Sequence, residues 1–141
     1  MTTSANLDLV RSIYADFERG DFSHADWAHP EIEYVNVGGP TPGTWKGLTG
    51  MGEGSRDFLS AWEDYRAEPE EFRDIDGERI LVLLHHRGRG KTSGLELGQM
   101  QTNTTAVVFH VRDGKVTRLI NYADRDRAFA DLALRPEGDT P

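Results

Sequence analysis

Residues 75 to 87, IDGERILVLLHHR, give the clearest indication of the fold. The pair Asp76-Gly77 is suited to the positive backbone angles of a tight hairpin turn. The run that follows, from Ile80 to Leu84, is apolar at every position, which is typical of a central strand covered on both faces. The sequence therefore predicts a hairpin that leads into a buried strand of a sheet.

A second Asp-Gly pair, Asp113-Gly114, lies between two strand-like runs at about 102–112 and 115–123. An extended segment near 65–75 precedes the first pair. Pro69 within that segment indicates an edge strand or a bulge, because proline has no N–H to donate to a sheet. Since such turns join neighbouring antiparallel strands, the second half of the chain predicts four consecutive antiparallel strands.

The first half of the chain shows helical periodicity around one strand. A first amphipathic helix is indicated by apolar residues at three- and four-residue spacing, namely Leu7, Val10, Ile13, Tyr14 and Phe17. A short helical piece is expected at 23–28, a strand at 32–37 and a loop at 38–47. These elements place two helices ahead of the first strand.

A second long helix is expected between the loop and the hairpins. Its apolar positions are Met51, Phe58, Leu59 and Trp62. Glycines at positions 50, 52 and 54 indicate that its first turns are soft or that something packs closely there. Asp124 is expected to cap a closing helix that turns Ala128, Phe129 and Leu132 inward.

This order of elements predicts an α+β domain in which helices collect on an antiparallel sheet. The 141 residues fit one domain, 1–141, with a frayed tail at 135–141.

The net charge of −8 argues against a nucleic-acid partner, which would require a basic face. No apolar run reaches the ~20 residues of a membrane span, and the polar N-terminus does not resemble a signal peptide, so a cytoplasmic location is expected.

The side-chain inventory limits metal and cofactor chemistry. The chain has no cysteine, which removes thiolate catalysis and sulfur-ligated metals. His85 and His86 are adjacent and point to opposite faces of a strand, so they cannot share a metal ion. No phosphate-binding or dinucleotide-binding glycine pattern is complete. We therefore expect neither a metal nor a cofactor.

Two segments, IYADFERGD at 13–21 and HPEIE at 29–33, carry a resemblance to the SnoaL-like domains of the nuclear transport factor 2 and ketosteroid isomerase superfamily. It continues with RDGKV at 112–116 and YADR at 122–125, which match that family's last hairpin and terminal helix. The resemblance implies a cone-shaped fold in which a curved antiparallel sheet wraps around N-terminal helices and encloses a pocket. It also implies frequent homodimers.

Members of that superfamily include isomerases, cyclases, dehydratases, epoxide hydrolases and non-catalytic binding domains, so the fold does not determine the function. The resemblance places the functional positions of ketosteroid isomerases at Ile13, Asn36 and Val107. None of these side chains accepts a proton near pH 7, which argues against steroid isomerase activity. Tyr14, one residue after Ile13, is expected to pack in the core or line the pocket.

Alternation along the buried strand puts Leu83, His85 and Arg87 on one face, and the resemblance directs that face toward the pocket. His85 then becomes the candidate acid or base, and Arg87 the candidate stabiliser of an anion. The alternative is a solvated polar rim without chemistry.

Further side chains are expected to line the pocket. Asn36 and Asn121 could orient a carbonyl group or a water molecule; alternatively, they satisfy buried backbone groups. The candidate ligand-binding residues are Tyr14, Trp27, Asn36, Trp62, Leu83, Val107, Phe109 and Asn121. Aromatic residues at helical or strand spacing are more often part of the core, which is the alternative for the aromatic members.

Two functions from different classes fit this pattern. The first is a cofactor-free isomerase, cyclase, dehydratase or hydrolase acting on a small apolar or anionic molecule. The second is a non-catalytic ligand-binding or dimerisation module. A homodimer is expected because both faces of the strand 80–84 are apolar, and one of them needs a cover other than the helices.

Overall fold

The computed structural model describes residues 5–19, 26–38, 42–60, 62–90 and 104–133. Within these ranges the helices are α1 (Ala5–Glu18), α2 (Gly47–Ser60) and α3 (Arg125–Leu132). The strands are β1 (Ala28–Val37), β2 (Gly43–Lys46), β3 (Trp62–Asp74), β4 (Arg79–Gly90), β5 (Thr104–Arg112) and β6 (Lys115–Tyr122). No helix of the described ranges is long and apolar enough to span a membrane.

All six strands form one sheet in the order β2-β1-β6-β5-β4-β3. Both predicted hairpins are confirmed. The second turn has positive φ at both Asp113 (53°) and Gly114 (75°), whereas in the first pair Gly77 has a positive φ (85°) and Asp76 does not. Pro69 lies on the edge strand β3 at a bulge, where its missing N–H is tolerated.

The α+β fold class is confirmed, with one difference in strand direction. β1 pairs with β6 in parallel, with Asn36 beside Asn121, so the curved sheet is mixed rather than wholly antiparallel. The four strands β3 to β6 are consecutive and antiparallel, as predicted. The parallel pair arises because β6 returns along β1 after the chain has passed through α2 and both hairpins.

Several predicted element boundaries differ from the structure. The expected loop at 38–47 contains the short strand β2, and Trp62 begins β3 instead of ending α2. The first part of the expected helical piece at 23–28 and the tail 135–141 lie outside the described residues. Ala28, at the end of that piece, begins β1.

Apolar layers cover the sheet on both faces. The inner face, with Ile80, Val82 and Leu84 of β4, packs against α1 and against Met51 of α2. The outer face, with Leu81 and Leu83 of β4, packs against α3. The central strand is therefore buried on both sides, as its uninterrupted apolar run predicts.

Helix α3 begins and ends at defined caps. Asp124 accepts a hydrogen bond from the backbone N of Asp126 at 2.9 Å, which confirms the predicted cap, and Ala133 ends the helix with φ 55°. Ala128 and Phe129 are buried against the outer face. Because α3 supplies a cover for this face, an uncovered apolar surface no longer argues for a homodimer, and the homodimer stays a prediction.

Glycines allow α2 to lie close against β1 and β2. A Cβ atom at Gly54 would lie 2.9 Å from ring atoms of both Trp45 and Tyr34, and one at Gly50 would lie 3.2 Å from the Cβ of Trp45. A Cβ at Gly52 would meet nothing within 4 Å. The close contact that the glycines indicate is therefore present at positions 54 and 50 and absent at position 52.

These contacts predict opposite effects for two alanine substitutions in one helix. Gly54→Ala should lower the free energy of unfolding by about 1–3 kcal/mol, because the added methyl group overpacks the Trp45 and Tyr34 rings. Gly52→Ala should raise it by up to roughly 1 kcal/mol through helix propensity. Urea denaturation of both variants measures the difference, and equal effects would contradict the close packing.

Candidate functional site

The predicted catalytic pair lies on the face opposite to the one expected. His85 and Arg87 follow Leu81 and Leu83 along the outer-face side of β4. The Arg87 side chain is 63% exposed, and its Nε lies 2.6 Å from Oε1 of Glu68 on the edge strand. The prediction that the Leu83, His85 and Arg87 row faces the α1 and α2 side is therefore wrong.

The neighbouring histidine takes the inner position instead. His86 follows Ile80, Val82 and Leu84 in alternation and is only 9% exposed. Its Nδ1 lies 2.5 Å from the hydroxyl of Tyr65, and its Nε2 lies 2.6 Å from Oγ1 of Thr105. The ring of Tyr65 also stacks on the imidazole, with ring centroids 5.7 Å apart. Three adjacent strands thus contribute one hydrogen-bonded chain, Tyr65–His86–Thr105.

Burial keeps this histidine uncharged. Burial, with smaller contributions from His85 and Arg125, lowers the pKa of His86 from 6.5 to about 4. A neutral imidazole has one donor and one acceptor nitrogen. One of its two hydroxyl partners therefore donates to the ring while the other accepts from it, which satisfies both nitrogens at neutral pH.

Three tyrosines lie near one another on the inner face. Burial raises the pKa of Tyr14, and the phenols of Tyr65 and Tyr34 raise it further. The pKa of Tyr65 is raised mainly by burial and also by Tyr34. All three hydroxyl groups stay protonated, so they remain hydrogen-bond donors across the physiological pH range.

The two asparagines form a second polar chain on the same face. Nδ2 of Asn121 donates to Oδ1 of Asn36 at 3.0 Å, across the parallel β1–β6 pair. Asn121 also hydrogen-bonds the hydroxyl of Tyr34, which offsets part of the rise in pKa that burial causes for that phenol. Val107 lies opposite Asn121 in the β5–β6 register. The sequence therefore placed this asparagine pair correctly, while its ligand-binding role stays a prediction.

The remaining candidate residues are spread over both faces. Phe109 and Tyr14 are buried on the inner face with their rings in edge contact at 5.7 Å, so Tyr14 packs in the core. Trp27 is partly buried beside Phe17, at a ring distance of 6.4 Å. Leu83 belongs to the outer-face cluster. Trp62 begins β3, and its side chain lies outside the described residues.

Sequence reasoning missed His86 and Thr105, and it did not link Tyr65 to either of them. A usable signal existed in the first hairpin. Counting back from the turn at Asp76-Gly77 brings residues near 67 opposite residue 86, and the structure pairs Ala67 with His86. Since Tyr65 is two residues from Ala67, it lies on the same face as His86. The hairpin register, rather than the composition of β4 alone, carried this information.

The inner-face site consists of uncharged groups in an apolar setting. Its members are Tyr34, Tyr65, His86, Thr105, Asn36 and Asn121. Among the residues that the structure describes, no three His, Cys, Asp or Glu side chains are grouped to hold a metal ion. The site as described suits hydrogen bonding to an uncharged group.

Comparison with known proteins supplies the family. Residues 10–119 match the model of the SnoaL-like domain. This chain belongs to the SnoaL-like domain family. An uncharacterized protein of Mycobacterium tuberculosis is 30% identical to it over 132 residues, which cover 88% of this chain and 93% of that protein.

Solved structures share the SnoaL-like fold of this chain. TerC, co-crystallized with polyporic acid, is 26% identical, with a TM-score of 0.69 and coverage of 90% of this chain and 96% of TerC. A nuclear transport factor 2-like protein of unknown function from Burkholderia pseudomallei is 22% identical, with a TM-score of 0.72 and coverage of 91% and 97%. The second likeness shows the fold alone.

The buried histidine predicts a pH dependence of stability. Because the pKa of His86 is lower in the folded chain, the unfolded chain binds its proton first as the pH falls. The titration of His86 should leave the free energy of unfolding unchanged above about pH 6.5. As the pH falls from about 6.5 to 4, the same titration should lower the free energy of unfolding progressively, by roughly 3 kcal/mol in total. The free energy of unfolding of His86→Gln should show a shallower fall than wild type across this range.

Urea denaturation at pH 7, 6, 5 and 4 measures both curves. Parallel curves for wild type and His86→Gln would contradict the burial of a neutral histidine, since the carboxylates that titrate in the same range are common to both proteins.

Proposed function

We propose that this SnoaL-like protein binds a small, mostly apolar molecule bearing a hydroxyl or carbonyl group on the inner face of its sheet. The observation that carries this proposal is the Tyr65–His86–Thr105 chain. Ligand sites for small molecules typically combine apolar walls with a few fixed polar groups. The inner face has both kinds of group.

The polar groups are held in fixed orientations by one another. His86 is anchored at both ring nitrogens, and Asn121 contacts both Asn36 and Tyr34. Such mutual hydrogen bonds lower the cost of ordering the side chains when a ligand binds. Half-buried aromatic rings, those of Tyr34, Trp45 and Tyr65, supply apolar contact surface beside them.

The chemistry of the site favours an uncharged or weakly acidic ligand group. The phenols can donate to an oxygen atom, and an amide can both donate and accept. TerC, the relative that is 26% identical, was co-crystallized with polyporic acid, which supports a ligand with an acidic group. Binding through neutral groups makes selection depend on hydrogen-bond geometry rather than on net charge.

A second candidate function is proton transfer without a cofactor, and the Tyr65–His86 contact favours it. An imidazole between two hydroxyl groups can accept a proton at one nitrogen and release another from its second nitrogen. Isomerisation, cyclisation, dehydration or hydrolysis would each use such a relay. The low pKa of His86, about 4, makes it a weak base near pH 7, which is why we place binding first.

Isothermal titration with polyporic acid, 2-naphthol and naphthalene tests the binding proposal. We expect polyporic acid and 2-naphthol to bind, and naphthalene, which lacks a hydroxyl group, to bind at least about tenfold more weakly, as the loss of a well-placed hydrogen bond predicts. His86→Gln and Tyr65→Phe should weaken the first two ligands by about tenfold each and leave naphthalene unchanged.

Two outer-face variants are the matched controls. His85→Gln changes the neighbouring residue of the same strand, and Tyr122→Phe removes a phenol from the outer-face cluster. Both should bind like wild type. Equal losses of affinity in the control and inner-face variants would place the binding site elsewhere. Turnover of 2-naphthol or polyporic acid that depends on His86 would favour proton transfer, the second candidate function.

A further inference from the structure

One arginine reaches the site strands from the opposite face of the sheet. Arg125 is the first residue of α3, which covers the outer face. Its Nε donates to the backbone oxygen of Thr105 at 3.1 Å, and its Nη2 donates to the backbone oxygen of Leu84 at 2.8 Å. The same Nη2 forms an ion pair with Glu70 on β3. A single guanidinium group thus joins β3, β4 and β5.

These are the three strands that carry the hydrogen-bonded chain. Tyr65 lies on β3, His86 on β4 and Thr105 on β5. Leu84 and Thr105 oppose each other in the β4–β5 ladder, so Arg125 contacts both halves of one rung. The Thr105 backbone is therefore fixed from the outer face while its hydroxyl bonds His86 on the inner face.

We infer that Arg125 is a positioning residue, which sets the contact between His86 and Thr105 by holding the Leu84–Thr105 rung of the sheet. It does so through hydrogen bonds to the backbone oxygens of Leu84 and Thr105. The inference rests on the proposed function, since it identifies what holds the proposed site in place.

The geometry of arginine suits this role. A guanidinium is planar and presents several N–H donors in fixed directions, so it can reach two carbonyl oxygens and a carboxylate at once. A lysine ammonium is a point charge on a flexible side chain, so it cannot make these three contacts in the same fixed directions. The side chain of Arg125 is only 25% exposed, which limits competition from water for its two carbonyl partners.

Arg125 also adds a positive charge on the far side of the sheet, which contributes to the lowered pKa of His86. The charge favours the neutral imidazole, and the backbone contacts hold the strand position of Thr105, one of its two hydroxyl partners.

NMR of ligand-free protein tests the inference through the imidazole signals of His86, assigned by their absence in His86→Gln. At pH 7, Arg125→Gln should shift the ring nitrogen and Hε1 signals of His86, because the contact between Nε2 and Thr105 changes. Arg127→Gln is the matched control. Arg127 lies on the same helix and pairs with Asp131, so its loss should leave those signals unchanged.

Two further variants keep the inference testable if Arg125→Gln does not fold. Arg125→Lys should shift the His86 signals, because it keeps the positive charge but loses the guanidinium donors that contact the two backbone oxygens. Glu70→Gln should shift them less than Arg125→Lys does, because the two carbonyl contacts remain. His86 signals identical to wild type in Arg125→Lys would overturn the inference, even if the melting temperature fell, since a purely structural role would lower stability alone.

Titration of the same samples with polyporic acid separates this inference from the proposed function. Weaker binding of polyporic acid by Arg125→Lys than by Arg127→Gln supports both the positioning role of Arg125 and the proposed function. If the His86 signals shift in Arg125→Lys but wild type binds neither polyporic acid nor 2-naphthol, the positioning role stands and the proposed function fails.

Discussion

Burial of β4 and β5 on both faces constrains every other part of the fold. Ile80, Leu81 and Val82 are all fully buried although successive side chains point in opposite directions. The sheet therefore needs two separate covers, and the chain supplies α1 and α2 for one face and α3 for the other. Every polar residue on these strands must find a partner within its own layer or reach solvent.

The two adjacent histidines show how strongly this constraint acts. His86 enters the layer beneath the helices and becomes a neutral, doubly hydrogen-bonded group. His85 takes the opposite face, beside Arg87, which reaches solvent and an ion pair with Glu68. One position along a strand separates a side chain suited to hold a ligand from one at the polar margin of the sheet.

Sequence reasoning predicted most of the elements, missed β2 and chose the wrong face of β4, and these outcomes have physical causes. Local signals sufficed for the turns at Asp76-Gly77 and Asp113-Gly114 and for the Asp124 cap, because each depends on a few neighbouring residues. The run Ile80 to Leu84 is apolar on both faces, so alternation divides it into two rows without indicating which row faces α1. That choice depends on distant partners such as Tyr65 and Phe129, which sequence periodicity does not connect to β4.

The parallel pairing of β1 with β6 has a consequence for the time at which the site forms during synthesis. Asn36 and Asn121 are neighbours in the sheet but lie 85 positions apart in the chain. At translation rates of about 5–20 residues per second, β1 emerges on the order of ten seconds before its partner β6 exists. During that interval, β2 is the one neighbour in the sheet with which β1 can pair. Ile32 meanwhile lacks the β6 residues that belong to its core cluster in the folded protein. The nascent chain thus exposes an unpaired strand edge on the ribosome, the kind of surface that chaperones shield, until β6 has been made.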